Sequence, residues 1–420
     1  MWLLNKMLSA LVKQGQLRVI DHDGSEYRYG DLTAEPVTIR FTDKGAALHV
    51  AKDPRVGAGE AYMDGRLVVE PPHDIRDMVL LVMGNANRGS GIGAPNPLKR
   101  GIDWIFAKAD QINLRTKASS NVVHHYDLTR QFYELFLDEN RLYTMAYFTD
   151  PANSLERAQL DKLALIAAKL RLQPGMRLLD IGCGWGGLGL YLNRHFGIEV
   201  LGVSLAPDQV RFANERAAAA GVADMVKFEL TDYRDVKGPF DRVVSVGMIE
   251  HVGAPHLPEY FAKTYDLLAD DGIALTHTIG RTNGPGTTDK WTRKYIFPGG
   301  YIPAMSELVS ACEKTGWEIA DVEVLRYHYA HTLAEWYRRT TLHEAEITAL
   351  YDARLFRMWQ FYLAGAEQSF AHGKMVNFHI QSVKQRSAVP MTRDYISAEA
   401  ARLSALDAAP AWHLEKQAAE

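Results

Sequence analysis

An α/β architecture, a mostly parallel sheet with helices on both faces preceded by a small α+β region, is what this sequence predicts. Three observations carry that reading. From about residue 154, short apolar strands alternate with amphipathic helices, the pattern of a parallel sheet covered on both sides. A glycine-rich turn, Asp180-Ile181-Gly182-Cys183-Gly184-Trp185-Gly186-Gly187, stands between a predicted strand and a predicted helix. The chain has 420 residues, more than one core usually serves, so a second and smaller domain is expected.

Composition narrows the classes. A hydrophobic content of 47% and a charged content of 23% are ordinary for a globular protein. A net charge of −4 argues against a nucleic-acid binder, which would carry a basic excess. The two cysteines, Cys183 and Cys312, leave no disulfide framework and suit a reducing, cytoplasmic compartment. The opening Met1-Trp2-Leu3-Leu4-Asn5-Lys6 turns polar too early for a signal peptide. No stretch approaches the roughly 18–20 uninterrupted apolar residues of a membrane span, so contact with lipid is expected from the membrane surface.

Residues 1–87 read as a small N-terminal domain, with an amphipathic first helix and Val37-Thr38-Ile39-Arg40-Phe41 as its clearest strand. Glycines and prolines over 88–97 break both periodic structures and mark a linker. The rest of the segment 88–120 is basic and amphipathic, with Lys99, Arg100, Ile102, Trp104, Ile105, Phe106, Lys108 and Arg115. It could lie on anionic lipid or pack its apolar face on the main domain. That domain is expected over 121–400, with a tail at 401–420. Its helix 154–171 opens at Ser154; strand 177–181, the glycine turn and a helix to about 195 follow. Strand 198–203, a helix near 206–220 and strands 226–230 and 242–247 complete the visible core. Beyond 305 long helices are expected to dominate.

Glycines in the turn let backbone N–H groups approach a ligand at the carboxyl edge of the sheet. The spacing alone also matches the dinucleotide fingerprint. A nicotinamide dinucleotide, however, would want an acid at the end of the second strand, where Val203-Ser204-Leu205 stands. The run Leu178-Leu179-Asp180-Ile181-Gly182-Cys183-Gly184 resembles the first motif of class I S-adenosylmethionine-dependent methyltransferases. Phe240-Asp241-Arg242-Val243-Val244-Ser245-Val246 resembles their fourth-strand motif.

A narrower resemblance covers nearly the whole chain. His125-Tyr126-Asp127-Leu128, Phe132-Tyr133-Glu134-Leu135-Phe136-Leu137-Asp138 and Leu142-Tyr143-Thr144-Met145-Ala146-Tyr147-Phe148 stand before the core. Met248-Ile249-Glu250-His251-Val252-Gly253, His277-Thr278-Ile279-Gly280, Ile296-Phe297-Pro298-Gly299-Gly300 and His328-Tyr329-Ala330-His331-Thr332-Leu333 follow in order. Together they resemble the cyclopropane fatty acid synthases and mycolic acid cyclopropane synthases. Gly59-Glu60-Ala61-Tyr62-Met63-Asp64-Gly65 resembles the small domain of the bacterial lipid enzymes.

The resemblance implies a Rossmann-like class I methyltransferase core with helical additions, and S-adenosylmethionine as methyl donor. The substrate it implies is an unsaturated phospholipid chain reached from the inner membrane surface, with a homodimer expected and no nucleic acid. Cofactor contacts carry over to Tyr143, Thr144, Gly182, Gly184, Ser204, Gln209, Asp232 and Tyr233, with Asp180 expected to order the turn. A bound bicarbonate, the implied base, carries over to Glu250, His277, Tyr329 and the backbone at Ile279. Met145 stands in that pocket where the family usually has Cys, and His379 where Gln is usual.

The chemistry accounts for such residues. An alkene is a poor nucleophile, so it must be held in line with the sulfonium methyl in a dry pocket. Attack leaves a carbocation that aromatic faces can stabilise, and Tyr126, Tyr143, Tyr147 and Phe148 are candidates. Proton loss from the new methyl closes a ring and needs a base. An anion beside Glu250 requires that carboxyl to be protonated or to share a proton. A changed base position would instead give a methyl-branched alkene. A lipid-binding protein with an inactive core, or a methyltransferase of a non-lipid substrate, are the remaining alternatives.

Overall fold

The computed structural model describes residues 1–31, 35–87 and 128–408. The basic amphipathic segment, Tyr126 and the end of the tail lie outside them. The chain groups into two units, each described separately.

The first unit contains a four-stranded sheet in the order β2-β1-β3-β4, built from β1 (Gln16–Ile20), β2 (Glu26–Gly30), β3 (Val37–Phe41) and β4 (Leu67–Val69). β1 runs antiparallel to β2 and parallel to β3. Helix α1 (Trp2–Leu11) buries Leu4, Leu8 and Leu11, one stripe at helical spacing, and helices α2 (Ala46–Lys52), α3 (Pro54–Met63) and α4 (Ile75–Asn87) follow. Residues 287–298 and 333–374 also belong to this unit, a grouping the linear division at residue 87 did not include. Ion pairs hold these pieces. Glu60 accepts from Lys294 Nζ and Tyr295 Oη at 2.7 Å each and lies 2.9 Å from His49 Nε2. Arg76 grips Glu367 of the helix Ala353–Ala371 with two bonds of 2.6 Å.

The second unit holds seven strands: β5 (Arg177–Ile181), β6 (Glu199–Ser204), β7 (Val226–Leu230), β8 (Phe240–Val246), β9 (Leu268–Arg281), β10 (Glu318–Leu325) and β11 (Met375–Val383). Their order is β10-β11-β9-β8-β5-β6-β7. The five from β9 to β7 are mutually parallel, and β11 runs antiparallel to both β9 and β10. Two buried clusters, one centred on Leu163, Leu178 and Leu192 and one on Leu179, Phe261 and Ile380, form the core. This is the predicted α/β class with helical additions, and its sheet is mixed at one edge.

Helix α5 (Leu155–Leu170) starts where Ser154 Oγ accepts from Arg157 N at 3.2 Å. This bond satisfies one of the helix's four orphan amides. Ser154→Ala should therefore cost about 1 kcal/mol, read as a lower urea midpoint at unchanged slope. Helix α6 (Gly187–Phe196) follows the glycine turn, and helix α7 (Pro207–Ala219) follows β6. Helices α8 (Leu257–Leu267), α9 (His328–Leu342) and α10 (Asp394–Asp407) complete the elements used below.

Long helices do not account for everything beyond residue 305, because β10 and β11 lie there. β11 is buried at every position but its first, and it places Asn377, His379 and Gln381 inside. A strand buried on both faces with polar residues inward shows no alternation to read. Among the described residues no helix is long and apolar enough to cross a membrane.

Candidate active site

Three backbone segments converge at the carboxyl ends of β5, β6, β8 and β9. Gly182, at φ +84°, sits so close to the exit of β8 that a Cβ would lie 3.0 Å from Met248 Cβ. Gly247, at φ +70°, approaches the segment before the core just as tightly: its Cβ would meet Thr144 Cγ2 at 2.8 Å. Both positions require glycine for conformation and for space. The turn, the β8 exit and the Thr144 segment thus form a backbone-lined cradle, which fits a nucleoside-type cofactor.

Aromatic packing brings the upstream segment to the turn. Trp185 meets Tyr133 at 6.0 Å between centroids, and Tyr133 meets Tyr143 at 5.5 Å. Phe136 packs on Tyr143 at 6.2 Å. Tyr147 and Phe148 are placed elsewhere, on α9: Tyr147 stacks on His328 at 4.7 Å and Phe148 lies on His331 at 5.4 Å. The aromatic candidates therefore fall into two groups.

Of the remaining cofactor candidates, Gly184 lies within the turn at φ +54°. Ser204 ends β6 and its hydroxyl accepts from Ala206 N at 3.2 Å, opening α7, where Gln209 is buried. Asp232 follows β7 and is engaged by Arg234, at 3.0 Å from its amide and 2.9 Å from its Nε. Tyr233 sets its ring edge on Tyr260 at 5.8 Å.

Asp180 does not order the turn as expected. The Gly182 and Cys183 amides both donate to the Val203 carbonyl, at 2.9 and 3.2 Å, so the backbone of β6 does that work. Asp180 is buried, and its Oδ2 has no hydrogen-bond partner. Burial alone pushes its carboxyl up to about 7.

The proton-transfer candidates gather around β9. β8 ends at Val246 while β9 runs on to Arg281, so the flank of β9 beyond His277 lacks a neighbouring strand. Glu250 takes that strand's place: its Oε1 accepts from Ile279 N at 2.5 Å, and its own carbonyl accepts from Tyr301 N at 2.8 Å. Glu250 Oε2 is buried without a hydrogen-bond partner. Burial pushes this carboxyl up to about 7 against the Ile279 bond.

His277 pairs with His379 across β9 and β11. Its Nδ1 lies 2.8 Å from His379 Nε2, and its Nε2 lies 3.2 Å from Asn377 Nδ2. Burial lowers His277 to about 3, with Lys162 and Lys169 adding to the effect, and His379 is lowered for the same first reason. Both imidazoles are neutral at pH 7. Asn377 is a further candidate that the sequence reading did not single out, two positions before His379 on β11.

Tyr329 is buried in the first turn of α9. Three residues on, Thr332 Oγ1 accepts from Ala146 N at 2.9 Å, which sets the Met145–Ala146 backbone against the same helix face. Met145 is fully buried, and its amide makes no hydrogen bond among the described residues.

Comparison with known proteins agrees with this geometry. Residues 113–380 match the family model described as mycolic acid cyclopropane synthetase, and residues 3–89 match a domain of unknown function. The cyclopropane-fatty-acyl-phospholipid synthase of Escherichia coli K12 is 36% identical over 337 residues, covering 80% of this chain and 85% of that protein. A probable fatty acid methyltransferase of Pseudomonas putida is 39% identical over 275 residues, covering 63% and 68%. The solved cyclopropane synthase MmaA2 of Mycobacterium tuberculosis superposes with a TM-score of 0.60 at 30% identity, over 63% of this chain and 97% of that one. Fold, cradle and family model agree: the chain belongs to the mycolic acid cyclopropane synthetase family and is an S-adenosylmethionine-dependent methyltransferase.

Proposed function

We propose that this enzyme modifies the double bond of an unsaturated phospholipid acyl chain, adding one carbon and closing a cyclopropane. The observation that carries the reading is Glu250, a buried carboxyl with one open oxygen, bonded to the strand that bears His277. The name of the Escherichia coli relative supports the substrate class. A peripheral position at the inner membrane surface and a homodimer belong to the same proposal.

S-adenosylmethionine supplies an electrophilic methyl on sulfonium. The backbone cradle at Gly182, Gly184 and Gly247 would hold it, with Tyr143, Thr144, Ser204, Gln209, Asp232 and Tyr233 as the side chains that would contact it. Tyr143, the aromatic candidate that packs beside the turn, would lend electron density to a cationic acyl chain without trapping it as a nucleophile would.

Bicarbonate supplies the base for ring closure. Two observations fit it. Glu250, raised by burial to about 7, still carries a proton in part of the population at neutral pH and could offer it to an anion through Oε2. The Met145 amide is open among the described residues, so a thiol at this position is not needed for an N–H contact. Ile279 N–H and the His277 ring already have partners, so each would have to exchange one to hold the anion. The Tyr329 hydroxyl would complete the set.

A second reading, methylation to a methyl-branched alkene without ring closure, is favoured by one observation. His379 grips His277 at 2.8 Å, which changes the hydrogen bonding of a base-region imidazole. Feeding methyl-deuterated methionine to cells carrying the protein, followed by lipid mass spectrometry, separates the two. A cyclopropane retaining two deuteriums per added carbon is the expected product. A methylated alkene retaining three deuteriums moves the base, and the absence of labelled lipid removes the substrate assignment.

A further inference from the structure

Helix α5 buries an amine that neither the cofactor contacts nor the proton transfer uses. Lys162 is 1% exposed, and its Nζ lies 2.8 Å from Thr144 Oγ1. One turn earlier Gln159, fully buried, donates its Nε2 to the carbonyls of Leu142 at 3.1 Å and Thr144 at 3.0 Å. Asp138, 4% exposed, accepts from Asn140 N and Leu142 N at 2.9 Å each and is the carboxylate whose charge Lys162 feels. Three buried polar side chains therefore converge on the segment 138–144. Burying them is expensive unless each is hydrogen-bonded, and an apolar face would hold a loop at lower cost.

What the polar arrangement adds is direction. An ammonium only donates, so Thr144 Oγ1 accepts from Lys162 and its own hydrogen must go to another acceptor. Gly247 leaves the space that Thr144 Cγ2 occupies, since a Cβ there would lie 2.8 Å from it. The cofactor carries a sulfonium, an α-amino group and one carboxylate. A positive charge behind a donating hydroxyl repels the first two and attracts the third.

We infer that Lys162 is a positioning residue for the cofactor, aiming the Thr144 hydroxyl at the carboxylate of S-adenosylmethionine. This rests on the reading of Thr144 as a cofactor contact. Burial lowers Lys162 to about 7, with Asp138 opposing. The other titratable groups that interact with it, His277 on β9 and His379 on β11, are neutral. As pH rises through about 7 the ammonium becomes an amine, the charge is lost, and the hydroxyl is no longer forced to donate outward.

The test is calorimetry on the full chain with two ligands, S-adenosylhomocysteine and 5′-methylthioadenosine, which keeps the nucleoside and thioether but lacks both the carboxylate and the α-amino group. Lys162→Met should weaken S-adenosylhomocysteine about tenfold, the scale of one charge-assisted hydrogen bond, and leave 5′-methylthioadenosine unchanged. Equal weakening of both ligands means a structural role and overturns the inference. The wild-type protein provides a measurement that does not depend on a variant folding. Its preference for S-adenosylhomocysteine over 5′-methylthioadenosine should fall between pH 6 and 8.5, and a change no larger than the ligand's own α-amino titration overturns the inference. Where Lys162→Met folds, its smaller change gives that ligand contribution directly. Thr144→Val separates the levels. If it leaves S-adenosylhomocysteine binding intact, the cofactor contact itself fails; if it weakens binding while Lys162→Met does not, only the role of Lys162 fails.

Discussion

Gly182→Val is expected to leave the protein without measurable affinity for S-adenosylhomocysteine at concentrations that saturate the wild type. Gly182 sits at φ +84°, where a β-branched residue is a severe outlier costing on the order of 1–3 kcal/mol. Its Cβ would also lie 3.0 and 3.1 Å from Cβ and Cγ of Met248, before the two valine methyls are added. Relief requires either the turn or the β8 exit to move. Moving the turn pulls the Gly182 and Cys183 amides from the Val203 carbonyl. Moving the exit displaces Gly247 from Thr144 and disturbs the approach to Glu250 two residues beyond Met248. Either way the cradle opens. Calorimetry measures the loss, and a urea melt shows whether the variant remains folded. Gly182→Ala, with the same φ problem but fewer atoms, should fall between the two. Wild-type affinity in a folded Gly182→Val protein would undermine the placement of the cofactor at this turn.

The parts of the molecule that could be read in advance share a physical property: their local pattern follows from local burial. β5, β6 and β8 are short, mostly apolar runs between glycine and proline breaks, β7 alternates apolar with charged residues, and α5 announces its start with Ser154. β10 is a half-exposed edge strand, whereas β9 and β11 escaped because polar residues are buried in them. Thr276, His277, Thr278, Asn377, His379 and Gln381 are all buried there, which erases the alternation that marks a strand. Glu250, His277 and Ile279 were visible as motif residues, but their relation was not. It depends on β8 stopping short of β9, so that a side chain completes what a strand would otherwise pair. Lys162 and Gln159 were invisible for the opposite reason. They occupy buried positions on a helix that also carries Glu156, Arg157, Asp161 and Lys169, where a charge reads as a solvated flank until the burial is known. Asp180 shows the remaining gap: motif knowledge placed it at the turn, but the bond that holds the turn comes from backbone that no side-chain pattern reports.

Glu250→Gln should lower turnover by at least about a hundredfold while S-adenosylhomocysteine affinity stays within about twofold. The substitution is conservative in shape: the glutamine carbonyl can still accept from Ile279 N, so the end of β9 stays tied to the turn after β8. What it removes is a proton that can be shared. Glu250 is raised to about 7 by burial, so at neutral pH the carboxyl both donates and yields its proton, which an amide cannot do. The same shift makes a stability prediction. The folded protein holds a proton on Glu250 between the unfolded value, near 4.5, and about 7, where the unfolded chain has released it. Stability from this group is therefore full below about 4.5 and declines as pH rises through 7. The melting temperature of the wild type minus that of Glu250→Gln should accordingly shrink between pH 5 and 8. Taking this difference removes the opposing contributions of His251 and His277, whose depressed values act in both proteins. Turnover gives the second reading, since the wild-type profile should carry a limb near pH 7 that the variant lacks. A wild-type rate in the variant would take Glu250 out of the chemistry. A lost rate with an unchanged melting difference would keep Glu250 in the chemistry, but as an ionised carboxylate that organises β9 and cannot offer a proton.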